Sequence, residues 1–478
     1  MPLQWIIVFL PWIGAAALAG VPRLRTATVA NAGVSAATFL LVLALATQPF
    51  AQHGWTRTDA LNLPFILLAA FVGLTTSVFS AATLDAEGFD HWRIRAYHAA
   101  YQLFMGAQFL ALLADNLGVM WVAVEIATLA TVSMVAVHRT PAAFEAAWKF
   151  FILGGVGIAL ALFGTIVLYF AAQALLDEAT GLSWAALMGV AAQCDAATLN
   201  LAFAFLLLGY GTKAGLVPLH SWLPDAHAEG PVPISAVLSG LLLNAAMLAV
   251  LRAKAILSTN EQAIAAGPFL IALGLASVLL AAASLWRRRD ARRFFGWSSI
   301  EHMGIAAFAF GIGGAAANLA GILHLLGHSL LKSAVFFGVG RAAQAKGSQK
   351  IADIQGLVAT HPALGWGLML AIAGIAGLPP FLLFASEVKL LTSAAAEAPW
   401  LAALLAVGMV TAFAALVTVA QAMGFGTPTP DAAGALDGWR EAAAAVPLWL
   451  HLAVAAWLAL AMPVVVAGMV VEAARVVG

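Results

Sequence analysis

Apolar segments long enough to cross a lipid bilayer recur along the whole chain. The segment 149–172, KFFILGGVGIALALFGTIVLYFAA, is typical, because no charged side chain follows its first residue. A transmembrane helix needs about 20 such residues, since each adds about 1.5 Å across a hydrocarbon core about 30 Å thick. Only 9% of all residues are charged, too few to cover a soluble surface. The sequence therefore predicts an all-α, polytopic membrane protein.

We expect about fourteen transmembrane helices. Their approximate bounds are 3–20, 26–47, 61–83, 98–113, 117–137, 149–172, 199–217, 231–251, 265–286, 296–314, 318–340, 364–384, 399–422 and 448–470. Residues 1–20 have neither a basic segment nor a small-residue cleavage site, so we interpret them as a retained span rather than a signal peptide. The connections are too short for an independent core, which predicts a single membrane domain over 1–478. Residues 177–193 are a candidate interfacial helix.

The distribution of basic residues predicts the orientation of the chain. Fifteen of the 22 lysines and arginines fall in odd-numbered connections, namely Arg23, Arg25, Arg93, Arg95, Arg139, Lys149, Arg287, Arg288, Arg289, Arg292, Arg293, Arg341, Lys346, Lys350 and Arg440. The opposite side has Arg57, Arg252, Lys254 and Arg475. The positive-inside rule then places the odd connections in the cytoplasm and both termini outside. The run RRRDARR (287–293) fits a topology anchor better than a nucleic-acid patch, so we expect no nucleic-acid partner.

Two charged residues lie deep inside predicted spans. Lys213 lies in the apolar stretch 201–222, and Glu125 has a full apolar turn on either side within 117–137. A charge in hydrocarbon costs several kcal/mol unless it has a partner or water, and intramembrane charges commonly mark ion or proton paths. We expect the two residues to pair, so that each responds to the proton of the other. A static buried pair is the structural alternative.

A third set of ionisable residues follows helical spacing. His324, His328 and Lys332 recur at every fourth position and therefore share one helix face over about 12 Å. Histidine accepts and returns protons near neutral pH, so this face is a candidate proton relay. The alternatives are a hydrogen-bonded helix contact, or a metal or haem site at the histidine pair.

Two predicted spans are interrupted by proline. Pro218 follows Lys213 closely, and Pro379 with Pro380 precedes Glu387. Broken helices in the two halves of a transporter point to inverted repeats with the breaks at the ion path. We therefore add Glu387 to the candidate relay.

The roles of several further polar residues stay open. Lys389 is a candidate for extending its side chain to the interface. Glu301 and His302 have either an interfacial or an interior role, and His220, Asp225 and His227, in a predicted cytoplasmic loop, either feed protons inward or are simply solvated. Cys194 is the single cysteine, which excludes an internal disulfide. We expect no cofactor and no metal.

One long segment carries a family resemblance. GYGTKAGLVPLHSWLPDAHAEGPVPISAVLSGLLLNAAMLAVLR (209–252) resembles the antiporter-like membrane subunits shared by respiratory complex I, membrane-bound hydrogenases and multi-subunit sodium/proton antiporters. The segments MWVAVEIATL (120–129), RTPAAFEAAWKFFILGGVGIALALFGT (139–165), WSSIEHMGI (297–305) and GHSLLKSAVFFGVG (327–340) are most similar to the hydrogenase-4 component F branch. The resemblance covers nearly the whole chain.

The resemblance implies a fourteen-helix fold with two inverted five-helix repeats. The corresponding bounds are 1–97 for the N-terminal helices, 98–252 for the first repeat, 265–422 for the second and 448–470 for the last helix. It also implies that Glu125, Lys213, His328, Lys332 and Glu387 occupy the family's mid-membrane proton positions, with His324 matching less strictly. Asn244 departs from the pattern, because several complex I members have a lysine there, and an amide cannot titrate.

The resulting hypothesis is a proton-translocating subunit of a redox complex resembling group 4 hydrogenase. We expect partners among other membrane subunits and a peripheral redox or soluble module, in the lipid of a bacterial inner membrane. The alternatives are a subunit of a multi-subunit cation/proton antiporter, a subunit of a proton-driven inorganic-carbon uptake system, or a purely structural spacer.

Overall fold

The computed structural model describes residues 1–21, 24–432 and 438–478, and the basic residue Arg23 lies outside them. The helices are α1 (Leu3–Gly20), α2 (Leu24–Ala46), α3 (Leu63–Thr83), α4 (His91–Leu113), α5 (Leu117–Val135), α6 (Pro141–Ala172), α7 (Trp184–Val190), α8 (Ala196–Lys213), α9 (Trp222–Glu229), α10 (Val232–Val237), α11 (Leu243–Ser258), α12 (Gly267–Leu285), α13 (Ala291–Ile312), α14 (Gly314–Lys346), α15 (Leu357–Thr360), α16 (Pro362–Ile375), α17 (Leu382–Glu397), α18 (Pro399–Phe425), α19 (Gly438–Leu460) and α20 (Val464–Val476). A two-stranded antiparallel sheet, β1 (Gln52–His53) and β2 (Thr56–Arg57), pairs Gln52 with Arg57 and His53 with Thr56. The all-α class is confirmed.

Many of the helices have the length and hydropathy of membrane spans. Ten of the described helices do, or eleven if α15 and α16, which meet at a 118° bend, count as one span. Helices also occupy the four remaining predicted spans, where α4, α8, α13 and the pair α16–α17 are shorter or more polar. The polytopic membrane class is therefore confirmed, and the number fourteen stays a prediction.

Two long helical segments form the interior of the bundle. In an apolar stretch of 18 residues within Val232–Ser258, 100% of the residues are buried, and the share is 94% within Gly314–Lys346. The corresponding share within Arg25–Ala46, at the periphery, is 28%. Because other helices surround these segments, polar side chains on them face protein rather than hydrocarbon. The interior is thus the part of the molecule where ionisable residues cost less than on the lipid-facing surface.

The interior segment around residue 240 is not a regular helix. A π-helical stretch, Leu238–Leu242, joins α10 to α11. The extra residue in such a turn shifts the side chains that follow it around the helix axis, and π segments are frequent at functional sites. No feature of the apolar sequence pattern predicted it.

Both predicted helix breaks are present. The chain leaves helical geometry after Lys213 and resumes at Trp222, and it breaks again between Ile375 and Leu382. Side chains satisfy backbone groups released by the first break: the Val217 amide donates to Ser277 Oγ at 3.0 Å, and Trp222 Nε1 donates to the Thr212 carbonyl at 3.0 Å. Such partners allow irregular backbone in the membrane interior.

Two predicted segment bounds are wrong. The last predicted span, 448–470, is two helices, α19 and α20, because Pro463 cannot continue the first of them. The candidate interfacial helix 177–193 is helical only from Trp184, where α7 is followed by a 3-10 turn, Ala191–Gln193.

Two ion pairs attach the connection after α18 to the rest of the molecule, one to α14 and one to the residue before α16. Lys346 Nζ lies 2.8 Å from Asp431 Oδ1, and His361 Nε2 lies 3.4 Å from Asp431 Oδ2. The Lys346 side chain is fully buried, whereas that of Asp431 is 40% exposed. The hydrogen bond from Lys346 lowers the pKa of the Asp431 carboxyl below its ordinary value.

Candidate proton-transfer site

Lys213 lies at the last turn of α8 and is fully buried. Its Nζ donates a hydrogen bond of 2.8 Å to Thr128 Oγ1 on α5 and lies 5.4 Å from the ring centroid of Phe150. A methyl group on Gly154 would lie 2.6 Å from Nζ, so glycine leaves the space that the ammonium occupies. A hydroxyl, an aromatic face and a glycine thus surround this lysine.

Glu125 and Lys213 are not in direct contact. Among the described residues, no carboxylate oxygen lies within 4.0 Å of Lys213 Nζ, so the expected ion pair is absent from this structure. Glu125 is half-buried, and its Oε2 has no hydrogen-bond partner within the described ranges. Thr128 lies one helical turn after Glu125 on α5 and occupies the place expected for the carboxylate. The physical reason is that a hydroxyl reaches the ammonium at hydrogen-bond distance without a second charge being buried.

Histidines from two helices form the centre of a second cluster. His302 on α13 and His324 on α14 are joined by a contact of 3.2 Å between Nδ1 and Nε2. His324 Nδ1 lies 3.1 Å from Ser386 Oγ on α17, and the rings of His302 and His328 are 5.5 Å apart. His302 therefore lies beside both predicted histidines of α14, which the sequence spacing alone could not reveal.

Lys332 lies one turn after His328 on the same face of α14. It is fully buried, its Nζ donates to the Phe295 carbonyl at 3.0 Å, and it lies 5.9 Å from the Phe295 ring centroid. As at Lys213, no carboxylate within the described ranges comes within 4.0 Å of the ammonium. His328, one turn away, is also fully buried, and neither of its ring nitrogens has a hydrogen-bond partner in the described part of the chain.

Glu387 and Glu301 lie at the edge of the cluster, where they line a cavity. The cavity measures about 180 Å³, and both glutamates line it together with Ile375, Ala376 and Met409. The Glu387 carboxylate lies against Gly377, whose φ of +73° in the break before α17 favours glycine. The break thus provides the space into which Glu387 extends.

Three side chains in this cluster are arranged like metal ligands. One nitrogen each of His302 and His324 and one oxygen of Glu387 all lie within 4.8 Å of one another. A shared histidine–histidine hydrogen bond and a bridging cation are both compatible with a nitrogen separation of 3.2 Å. The alternative metal pair of the sequence analysis, His324 and His328, is not the pair in this group, which contains His302 in place of His328.

A polar contact on the interior helices lies between the two lysine sites in sequence. Asn244 Nδ2 donates to Ser329 Oγ at 2.7 Å, and Ser329 Oγ donates to the Gly240 carbonyl at 2.7 Å. Ser239, in the π-helical stretch, lies 2.8 Å from Ser299 of α13. These groups donate and accept hydrogen bonds but do not titrate near neutral pH.

The expected loop over 220–227 is instead largely helical. Residues from Trp222 form α9, and His227 is fully buried and stacked on Phe336, with ring centroids 4.4 Å apart. Asp225 lies 3.0 Å from Lys149 Nζ and 3.2 Å from Arg293 Nε. His220, only 8% exposed, packs edge-on against Trp297. A short helix fits here because its buried face and its ion pairs hold it against α6 and α13.

Glu301 and His302 are interior residues. They are 4% and 1% exposed, in the middle of α13, so the interfacial alternative is wrong for both. Lys389 is half-buried and has no salt bridge within the described part of the chain. Thr128 and Ser386 were missed, and the only available signal was a hydroxyl one turn or less from a candidate acid.

The chain is similar to known proteins in both sequence and fold. Residues 114–414 match the family described as NADH:quinone oxidoreductase/Mrp antiporter, TM. The chain is 50% identical over 430 residues to a hydrogenase-4 component F homolog of Methylacidiphilum infernorum, with 89% of this chain and 90% of that protein covered.

Two solved structures share the fold. A chain of the membrane-bound sulfane sulfur reductase, an archaeal respiratory membrane complex, superposes with a TM-score of 0.84 at 23% identity, covering 99% of this chain and 97% of that one. A chain of the Mrp complex from Dietzia sp. superposes with a TM-score of 0.86 at 19% identity, covering 100% and 98%. At these identities the likeness concerns the fold.

Proposed function

This chain belongs to the NADH:quinone oxidoreductase/Mrp antiporter transmembrane family, and we propose that it moves protons through its interior as part of a membrane-bound redox complex of the hydrogenase-4 type. It is an antiporter-like membrane subunit, and its structural neighbours are subunits of multi-subunit membrane complexes. The proposed site residues are Glu125, Lys213, His324, His328, Lys332 and Glu387.

The observation that carries the proposal is the burial of two lysines that have no counter-ion among the described residues. Lys213 and Lys332 are both 0% exposed, and each donates to a neutral oxygen, that of Thr128 or of Phe295. An ammonium buried without a carboxylate is destabilised, which favours transfer of its proton to a neighbouring base. A purely structural lysine gains nothing from a destabilised ammonium, whereas a proton carrier needs one in order to release its proton.

In the proposed order of transfer, the groups that follow Lys332 are suited to receive and release a proton. His302 and His324 share a hydrogen bond, His324 continues to Ser386, and Glu387 faces the cavity. An imidazole takes up a proton on one nitrogen and releases one from the other, so a histidine pair can pass a proton along its length. We include His302 and Glu301 as additional members of the relay.

Between the two lysines we propose transfer through water at Asn244. The Asn244 amide and Ser329 hydroxyl offer donors and acceptors but no titrating group. Proton movement across them therefore requires water molecules that hydrogen-bond to these side chains.

The proposed coupling to redox chemistry is electrostatic. A charge change near Glu125 alters the energy of the ammonium at Lys213, because Coulomb interactions are strong in a low-dielectric interior. Approach of Glu125 to Lys213 would stabilise the ammonium, and their separation would favour release of the proton. The arrangement with Thr128 as the partner of Lys213 is the separated one.

The finer topology is also part of the proposal. The membrane is the inner membrane of a bacterium, with both termini on the non-cytoplasmic side and the 287–293 connection in the cytoplasm. Residues 98–252 and 265–422 are two inverted repeats, each with one broken helix.

The direct test measures proton pumping by the purified complex in proteoliposomes. We expect Lys213→Met to abolish acidification of the lumen while the complex still assembles. The matched control is Lys254→Met, because Lys254 is also buried, at 6% exposure, but donates to the Val477 carbonyl outside the site. Unchanged proton flux in the Lys213 variant would refute the proposal.

Secondary transport is the second candidate, because the Mrp antiporter is named in the family description and shares the fold. Extraction of the tagged chain in mild detergent, followed by mass spectrometry of the co-purifying subunits, separates the two. A hydrogenase or quinone-linked module supports redox-driven pumping. A set of small antiporter subunits, or one soluble partner of an inorganic-carbon uptake system, supports secondary transport.

A further inference from the structure

The basic run 287–293 borders a groove that the proposed proton path does not use. The groove measures about 930 Å³ and lies between the end of α12, the start of α13, the segment 350–355 and the C-terminal part of α18. Its lining combines the cations of the connection with the side of a membrane helix.

The cationic end of the groove carries basic side chains that have no salt-bridge partner among the described residues. Arg287, Arg289 and Lys350 form no salt bridge in the described portions of the chain. Arg293 is engaged by Asp225 and Glu229. These three free cations create a positive potential that attracts an anion.

The other groups at this end leave the potential positive. Asp290 is the only acidic residue lining the described groove, and its Oδ1 accepts the Arg293 amide at 2.8 Å as the cap of α13. Arg288 lies over the Trp297 ring at 5.0 Å, which orients its guanidinium without neutralising it.

The apolar wall of the groove is a furrow on α18. Ala415, Thr418, Val419 and Ala422 line it with helical spacing, so they share one face over about 10 Å. Their side chains are small. α18 is a peripheral helix, because only 33% of the residues in its 18-residue apolar stretch are buried. Trp286, 54% exposed, lies at the rim, where tryptophan is typical of the membrane interface.

We propose that this groove binds an anionic phospholipid, with the phosphate among Arg287, Arg289 and Lys350 and one acyl chain along the α18 furrow. Charge complementarity explains the cations, and basic pockets between transmembrane helices are suited to lipid head groups. Inorganic phosphate would use the cations alone and leave the apolar furrow without a function. The inference is independent of the proposed proton path.

The experiment uses the full chain in bilayer nanodiscs of phosphatidylcholine with a minority of phosphatidylglycerol. Native mass spectrometry measures the phosphatidylglycerol retained after transfer to mild detergent. The test variant is Arg287→Gln/Arg289→Gln, and the control is Arg25→Gln/Arg475→Gln, which removes the same charge from two exposed arginines elsewhere. Two lost cations are expected to weaken retention of the anionic lipid roughly 30-fold at low salt, and the control is expected to retain it.

A third variant distinguishes the lipid from a free anion. Thr418→Trp fills the furrow at an exposed position and leaves every cation in place. Loss of the lipid in both Thr418→Trp and the arginine variant supports the proposal. Retention in Thr418→Trp with competition by inorganic phosphate would show an ion site instead, and equal retention in all variants would overturn the proposal. In the assembled complex, a groove covered by another subunit and without anionic lipid would also overturn the proposal.

Discussion

The hydrogen bond between Lys213 and Thr128 makes the sharpest prediction of this structure. Thr128→Val removes the hydroxyl that accepts from Lys213 Nζ at 2.8 Å and keeps the shape of the side chain. This is the only hydrogen bond of that ammonium within the described residues, and hydrogen bonds to charged groups contribute about 1.5–3 kcal/mol. The ratio of protonated to neutral Lys213 should therefore fall by roughly 10- to 150-fold.

If proton loading of Lys213 limits transport, the pumping rate should fall by a similar factor. The assay is dye-reported acidification of proteoliposomes that contain the complete complex, normalised to the amount of assembled complex. Thr128→Ser keeps the hydroxyl and is expected to retain most of the rate.

The same helix offers a matched control. Thr131 is equally buried, and its hydroxyl donates to the Ala127 carbonyl at 2.7 Å, just as that of Thr128 donates to the Val124 carbonyl at 2.8 Å. Thr131→Val therefore reproduces the loss of a buried hydroxyl without touching Lys213. Equal pumping rates in the two valine variants would refute the role assigned to Thr128.

Three further predictions concern other parts of the structure. Gly377→Ala places a methyl group against the Glu387 carboxylate at a φ of +73°, so we expect a strong loss of pumping at normal assembly, and a wild-type rate would contradict the placement of Glu387. His451→Phe removes contacts from α19 to Thr75 Oγ1 at 2.8 Å and to the Leu330 carbonyl at 3.0 Å; we expect about 1–3 kcal/mol of destabilisation in thermal or denaturant unfolding, with the pumping rate per assembled complex unchanged. Asp431→Asn removes the ion pairs with Lys346 and His361. Because the pKa of Asp431 is lowered in the folded protein, the stabilisation from its carboxylate is present above pH 3.8 and is lost as the pH falls below that value. The difference in unfolding temperature from wild type should therefore be smaller at about pH 3 than at about pH 5, and a difference that persists undiminished at about pH 3 would contradict this reasoning.

Several features of the fold followed directly from the sequence. Runs of about 20 apolar residues form helices in a membrane because every backbone amide must bond within its own segment, so the class and most bounds were predictable. Pro218 and the pair Pro379–Pro380 fixed the two breaks, since proline has no amide hydrogen to donate. The long match around Lys213 indicated the family, which the comparisons confirm.

The partners of the ionisable residues were decided only by tertiary packing. Spacing along α14 placed His324, His328 and Lys332 on one face, but which groups meet that face depends on the neighbouring helices. The structure brings His302 from α13 to His324, and it gives Lys213 a hydroxyl rather than Glu125. Sequence periodicity describes one helix at a time, whereas hydrogen-bond partners depend on how helices rotate and approach one another in the packed bundle.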